Sequence, residues 1–226
     1  MNGRVKRYPS SIIQVMPIYF RNKHATEYKH KICKQFEKLC SYFDVDPGSI
    51  SIEILSEKEF NRVYELERKK KPEWFVVGSA LNNGRVIVLA KKDFGKKKHH
   101  KSEFEPVILH ELCHMFVRRI TWPKHASIWI QEGICEYLSF GKKGFKVGKF
   151  IDFKEIETAK GWDKHHPYPQ AGAFFCYLAK KYSDKKIVEF IKRLKHENNE
   201  MAAFGKSFGN FTEVQESFRR SLRFSG

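Results

Sequence analysis

Two short stretches, HELCH at residues 110–114 and WIQEGICEY at residues 129–137, decide the fold expected for this chain. Each lies within a pattern that predicts a helix, the first over residues 107–119 and the second over residues 128–140. Residues i and i+4 share one face of a helix, so His110 and His114 can present two imidazoles to one metal ion. We therefore expect these two helices to form the centre of the fold.

Strand patterns precede these helices, and helical patterns follow them. Ile50, Ile52 and Ile54 alternate with polar residues, which predicts a strand. The runs 75–81 and 85–90 flank Asn82-Asn83-Gly84, and Asn-Gly between two such runs predicts a β-hairpin. Further predictions are a first strand or extended arm over residues 11–19 and helices over residues 24–43, 56–68, 171–182, 184–196 and 213–222.

This order of elements predicts an α+β fold, because strands come first and helices last. We expect a single domain over residues 1–226, with a sheet-containing half at 1–101 and a helical half at 102–226 that carries the site. The start of the central helix has two readings. Ser102 and Glu105 have the spacing of a capping box, whereas Pro106 fits the first helical turn if the cap lies later.

Composition limits the functional classes. The chain has 226 residues and 43 Lys plus Arg against 26 Asp plus Glu, a net charge of +17. Such a charge suits nucleic acid, an anionic membrane or acidic substrates as partners. The cysteines are odd in number and irregularly spaced, so we expect reduced thiols and a cytoplasmic protein. No signal peptide or membrane-spanning segment is predicted, and no nucleotide-binding or dithiol motif is present.

The chemistry of the two central stretches points to a metal-dependent hydrolase. Glu111 lies about 100° round the helix from His110, where it can reach a metal-bound water without ligating the metal. A catalytic zinc ion prefers three protein ligands and one open position, and Glu132 can supply the third ligand if the two helices pack together. Glu136 lies one turn further along, where it can accept the other ring N–H of a ligand histidine.

HELCH followed by WIQEGICEYL resembles the gluzincin metallopeptidases, in particular the compact peptidase-MA-like group related to the catalytic domain of aminopeptidase N. The order of elements and the stretches at residues 168–194 and 204–222 are also similar to that group. The resemblance implies a zincin-like fold, Zn²⁺ as cofactor and a peptide or protein substrate. It also implies that His110, His114 and Glu132 are the ligands and Glu111 the general base.

Two further roles follow from the resemblance. Tyr168 looks like the tyrosine that stabilises the transition state in that family, where a phenol donates to the developing oxyanion. Residues 78–81 (Gly78, Ser79, Ala80 and Leu81) correspond to the strand that edges the active site, and an extended peptide could pair with it. Leu81 stands where aminopeptidases carry a glutamate that anchors the substrate's amine, so endopeptidase cleavage is favoured.

Two alternatives remain open at this stage. His125-Ala-Ser-Ile-Trp faintly resembles the SprT-like proteases, which act on DNA-associated proteins, and in that case His125 would be the third ligand. The chain could also be a catalytically idle module whose basic surface holds nucleic acid through phosphate contacts.

Overall fold

A computed structural model describes residues 18–141 and 144–222 of the chain. Among these residues, four strands form one sheet in the order β1-β2-β4-β3. Strand β1 (Ile18–Phe20) is parallel to β2 (Ile50–Leu55), and β2 is parallel to β4 (Arg85–Leu89). Strand β3 (Gly78–Ala80) pairs with β4 in the antiparallel direction. The sheet is therefore small and mixed, and β3 is one of its edges.

The pattern of isoleucines in β2 explains its burial. Ile50, Ile52 and Ile54 are buried, whereas the residues between them are partly exposed. The hairpin of β3 and β4 also forms as predicted, and its turn ends at Gly84, which has a φ of +76°. Its first strand is shorter than the predicted run 75–81, because the N–H of Val76 donates to the carbonyl of Glu73 in a turn outside the sheet.

Three helices lie between the strands of the N-terminal half. The predicted helix over residues 24–43 is divided into α1 (Lys23–Glu27) and α2 (Lys29–Phe43), which meet at Tyr28. Helix α3 (Glu57–Arg68) matches its prediction and begins with a capping box between Ser56 and Glu59. Of the predicted strand over residues 11–19, residues 11–17 lie outside the described residues.

Among the described residues, everything after position 103 is helical or irregular. The central helix, α4 (Phe104–Thr121), begins between the two starts considered for it, and Pro106 lies in its first turn. The predicted capping box of Ser102 with Glu105 is wrong, because Ser102 lies in a short 3-10 helix and its N–H donates to Nδ1 of His100. The later helices are α5 (Ile128–Phe140), α6 (Ala159–His165), α7 (Tyr168–Tyr182), α8 (Asp184–Leu194), α9 (Glu200–Phe208) and α10 (Phe211–Leu222).

The packing of α4 positions the site. This helix contacts the edge strand β3 and also contacts α5, which in turn packs most extensively against α7. Aromatic side chains fill the helical half, with Trp129 against Phe153 and Phe174 at its centre. The described residues therefore form a mixed α+β structure, as predicted. No helix in residues 18–141 and 144–222 is long and apolar enough to cross a membrane.

Candidate active site

Helix α4 places two imidazoles one turn apart on its buried face. The Nε2 atoms of His110 and His114 are 3.1 Å apart, and the two residues are 9% and 5% exposed. Two ring nitrogens at this separation cannot both direct a hydrogen at each other. The contact is therefore either one hydrogen bond between the rings or two lone pairs directed at a shared cation.

Helix α5 brings Glu132 to the same point. Its Oε2 is 3.2 Å from Nε2 of His110, and its Oε1 is 3.5 Å from Nε2 of His114. The ligand atoms of the three residues all lie within 4.8 Å of one another. Donor atoms about 2.0–2.2 Å from a tetrahedral zinc are about 3.3–3.6 Å apart. The three side chains thus fit a single zinc ion.

Close packing of α5 on α7 fixes the position of Glu132. A Cβ atom at the next residue, Gly133, would lie 2.7 Å from the ring of Phe175 and 3.0 Å from the carbonyl oxygen of Ala171. Real Cβ atoms essentially never come this close to a neighbour, so only glycine allows this separation of the two helices. In the Glu-Gly pair, Glu132 is therefore a candidate ligand and Gly133 allows its helix to pack closely against α7.

The charges around this cluster favour a cation. Burial opposes the protonated form of His110, but the carboxylates of Glu132, Glu136 and Glu111 prevail and raise its pKa to about 10. Burial opposes the charge of Glu132 as well, yet the imidazoles of His114 and His110 hold its pKa well below the usual range. Burial raises the pKa of Glu136 to about 7. The cluster therefore attracts positive charge, as a metal centre must.

Two further glutamates surround the three ligand candidates. Oε1 of Glu136 lies 3.4 Å from Nδ1 of His110, on the side of the ring away from Glu132, although without hydrogen-bond geometry. Glu111 is 9% exposed and lies against the edge strand, where a Cβ atom at Gly78 would be 2.8 Å from its Oε1. Glu136 thus lies behind a candidate ligand, and Glu111 lies beside the cluster.

An open cleft of about 730 Å³ joins these residues. Its walls come from α3, β3, α4, α5, the start of α7 and the segment before β3. The acidic lining consists of Glu111, Glu132 and Glu136. The cleft has the size of a ligand site and contains convergent polar groups, so it is where a reaction could take place.

Comparison with known proteins now gives the family. Residues 70–217 match the sequence profile of a family described as "Peptidase of plants and bacteria", and this range covers more than half of the chain. The chain belongs to this peptidase family. The matched range includes the whole candidate metal cluster. No curated protein and no solved structure shows a significant match.

The edge strand β3 of this peptidase offers little free backbone with which an extended peptide could pair. Val77 and Leu81 bond to β4, because the N–H of Leu81 donates to the carbonyl of Arg85 and the N–H of Leu89 donates to the carbonyl of Val77. In an antiparallel pair, the residues that bond to the partner strand alternate with residues that do not. The polar groups of Gly78 and Ala80 therefore point away from the sheet. Gly78, Ser79 and Ala80 line the cleft.

The predicted edge over residues 78–81 is one residue too long, because β3 ends at Ala80 and Leu81 lies beyond it. Its N–H donates to the carbonyl of Arg85, 2.7 Å away, and the residue is 1% exposed in the core. Hairpin closure turns it inward, so Leu81 is not among the residues that line the cleft. Ser79 and Ala80 are themselves only 5% and 1% exposed, so Gly78 is the accessible residue of residues 78–81.

Tyr168 lies at the first residue of α7 and lines the cleft of the peptidase. Its ring packs edge-on against Trp162, with centroids 5.0 Å apart. Burial raises its pKa, and the nearby charge of Glu132 acts in the same direction. Tyr168 therefore stays protonated at neutral pH, and its O–H remains a donor.

His125 is not brought to the metal cluster. It is an exposed residue on the connection between α4 and α5, and its ring lies against Trp122 with centroids 6.0 Å apart. It does not line the cleft. The grouping found among the described residues contains His110, His114 and Glu132.

Two arginines in the cleft were not anticipated from the sequence. Arg68 lies at the end of α3, and Arg118 lies one turn after His114 on α4. The i+4 spacing between His114 and Arg118 was a signal that could have placed Arg118 on the site face. Arg68 gave no such signal, because only the tertiary fold brings α3 to this cleft.

Proposed function

We propose that this peptidase is a zinc-dependent metallopeptidase of the gluzincin type that cleaves within peptide chains. In this proposal His110, His114 and Glu132 hold the zinc ion, and Glu111 is the general base. The observation that carries it is the convergence of two imidazole nitrogens and one carboxylate at separations of 3.1–3.5 Å. Two imidazoles and one glutamate form an established ligand set of catalytic zinc.

A zinc ion held here would lower the pKa of a bound water to about 7 and polarise the scissile carbonyl. We assign the proton transfers of the reaction to Glu111. Its carboxylate lies beside the cluster without joining it, so it can accept a proton from the attacking water. The same carboxylate then delivers that proton to the leaving amine nitrogen.

Two other side chains support this chemistry from their positions in the fold. The phenol of Tyr168, kept protonated by its buried setting, would donate to the oxyanion that develops on the scissile carbonyl. Glu136, whose Oε1 lies 3.4 Å from Nδ1 of His110, would accept the N–H of that nitrogen once the metal is bound, and so fix the orientation of the ring and increase the basicity of the ligand.

The lining of the cleft supports endopeptidase cleavage. An aminopeptidase needs a carboxylate that pairs with the substrate's free ammonium. The carboxylates that line the cleft in the described residues are Glu111, Glu132 and Glu136, and each has a role at the metal cluster. Leu81, which stands where aminopeptidases carry the glutamate that binds the substrate's amine, is buried in the core.

The test combines metal analysis with proteolysis. Purified wild type is compared with Glu132→Ala, with His125→Ala as a control at an exposed histidine outside the cleft. We expect about one zinc per chain in wild type and in His125→Ala, and a large loss in Glu132→Ala. Wild type should cleave casein, and a chelator should abolish that cleavage until zinc is restored. Zinc lost from His125→Ala but kept by Glu132→Ala would contradict the proposal.

A further inference from the structure

Two guanidinium groups converge on one backbone oxygen at the end of the edge strand. Nη2 of Arg68 and Nη1 of Arg118 each lie 2.8 Å from the carbonyl oxygen of Ala80. Arg68 also donates through Nη2 and Nε to Oγ of Ser79, at 2.9 and 3.2 Å. All these acceptors are neutral.

Neither arginine has a carboxylate partner among the described residues. No ion pair within 4.0 Å in residues 18–141 and 144–222 includes Arg68 or Arg118, although both are half-buried. Burial lowers the pKa of Arg118 and the neighbouring charge of Arg68 lowers it further, and this net lowering persists although the carboxylates of Glu111 and Glu132 act in the opposite direction from beyond ion-pair distance. Two like charges in a partly desolvated wall are unfavourable unless an anion accompanies them.

The unused donors of this pair are accessible. Among the residues that the structure describes, Nη1 of Arg68 and Nε and Nη2 of Arg118 make no hydrogen bond, and these atoms are not fully buried. Both residues line the cleft that contains Glu111 and His114. A guanidinium presents its donors in a planar fork that matches a carboxylate.

The pair also lies at a defined distance from the reacting groups. Gly78 contacts Glu111, and Ala80 is two residues further along the same edge. Two residues of extended chain span about 7 Å. A substrate that passes Glu111 and follows the edge therefore reaches the arginines about two residues from its scissile bond.

We propose that Arg68 and Arg118 form a carboxylate-binding subsite that directs this peptidase to peptides with an acidic group about two residues from the cleaved bond. The carboxylate belongs either to an Asp or Glu side chain, which is compatible with cleavage within a chain, or to a free C-terminus, which would make the cleavage a removal of C-terminal residues; the two arms of the test distinguish these sources. The net charge of +17 draws acidic peptides to the protein, and the arginine pair selects the position of the acid. This inference rests on the proposed peptidase site, because the cleft is the substrate channel only if Glu111 acts there.

The test uses fluorescein-labelled, alanine-rich octapeptides. In one arm, amidated peptides carry Glu at successive positions, each paired with a peptide that carries Gln at the same position. In the other arm, a neutral peptide has either a free or an amidated C-terminus. Binding to the full-length Glu111→Gln variant is measured by fluorescence anisotropy, and kcat/KM is measured with wild type.

The arginine pair is tested with the substitutions Arg68→Gln and Arg118→Gln. Each is made alone for the kinetic measurements and together with Glu111→Gln for the binding measurements. Arg119→Gln is a charge-matched control on the exposed side of α4.

We expect one register, or the free C-terminus, to bind about tenfold or more tightly than its neutral partner. That preference should fall towards one in Arg68→Gln and Arg118→Gln and persist in Arg119→Gln. Attraction by net charge alone would favour Glu equally at every position and would overturn the proposal. The proposal would also be overturned if wild type gave the same kcat/KM for every charged peptide and its neutral partner. A preference that persists in both Arg68→Gln and Arg118→Gln would overturn it as well. If wild type cleaves no peptide while the binding preference holds, the peptidase mechanism fails and the subsite stands.

Discussion

The carboxylate of Glu111 lies directly against the backbone of Gly78. A Cβ atom at residue 78 would be 2.8 Å from both Cγ and Oε1 of Glu111 and 2.9 Å from Cγ1 of Val107. The edge strand and the central helix are in close contact here, since neither neighbour leaves room for a methyl group. The position of the candidate base thus depends on a glycine in another element.

Gly78→Ala should displace Glu111 and slow catalysis while leaving the metal in place. We expect kcat to fall by about 10–100-fold, because misplacing a catalytic group by about 1 Å can cost 10²-fold. Zinc content should stay at the wild-type level. The control is Gly95→Ala, where a Cβ atom meets nothing within 4 Å. Unchanged kcat in Gly78→Ala would show that Glu111 does not need this position.

Glu111→Gln tests the base itself. The amide keeps the size of the side chain but cannot accept the proton of the attacking water, so kcat should fall by about 10²–10⁴-fold. Zinc content and thermal stability should match wild type, since Glu111 does not belong to the metal grouping. Cleavage of casein at the wild-type rate would remove Glu111 from the mechanism.

Tyr168→Phe tests the oxyanion donor. The substitution removes one hydroxyl and keeps the ring that packs against Trp162 and Phe75. We expect kcat to fall by about 10–10³-fold with little change in KM, because the hydrogen bond is made in the transition state. A rise in KM of the same size, with kcat unchanged, would instead assign Tyr168 to substrate binding.

Gly133→Ala should destabilise the protein, because the added methyl group would collide with Phe175 and the carbonyl of Ala171. Overpacking of this kind costs about 1–3 kcal/mol in the free energy of unfolding, measured by denaturant titration. The matched control is Gly205→Ala within α9, where a Cβ atom meets nothing within 4 Å. That substitution should instead stabilise by about 0.4–1 kcal/mol. Equal effects of the two would mean that α5 and α7 can separate without strain.

The sequence predicted those parts of the fold that local patterns specify. The alternation of Ile50, Ile52 and Ile54 indicated β2, and the Asn-Gly turn indicated the hairpin. The peptidase activity predicted from HELCH and the Glu-Gly pair agrees with the family match. The zinc ligand set and the single-domain organisation stay predictions.

Other features depend on tertiary contacts and could not be predicted. Helix α6 contains Gly161, which weakens any helical pattern, and forms because Thr158 caps it and Trp162 is buried. The short α9 is likewise held by the burial of Phe204 and Phe208. The convergence of Arg68 and Arg118 joins residues far apart in sequence, so no local signal exists for it.

The basic segment at residues 96–101 shows the same limit. Such a run of charges is typical of a solvated loop, yet Lys97 is 8% exposed and Lys96 pairs with Asp93 and Glu57. His99 also reaches the wall of the cleft, because its Nε2 donates to the carbonyl of Phe75 over 2.8 Å. A run of charges in sequence does not reveal which of its members the fold covers.

The most direct measurement of the central claim is the zinc content of purified Glu132→Gln, determined beside wild type by elemental analysis. The amide has the shape of the carboxylate but lacks its charge, so a correctly folded variant should retain far less zinc than the one ion per chain expected for wild type. A fully loaded Glu132→Gln that cleaves casein at the wild-type rate would contradict the account.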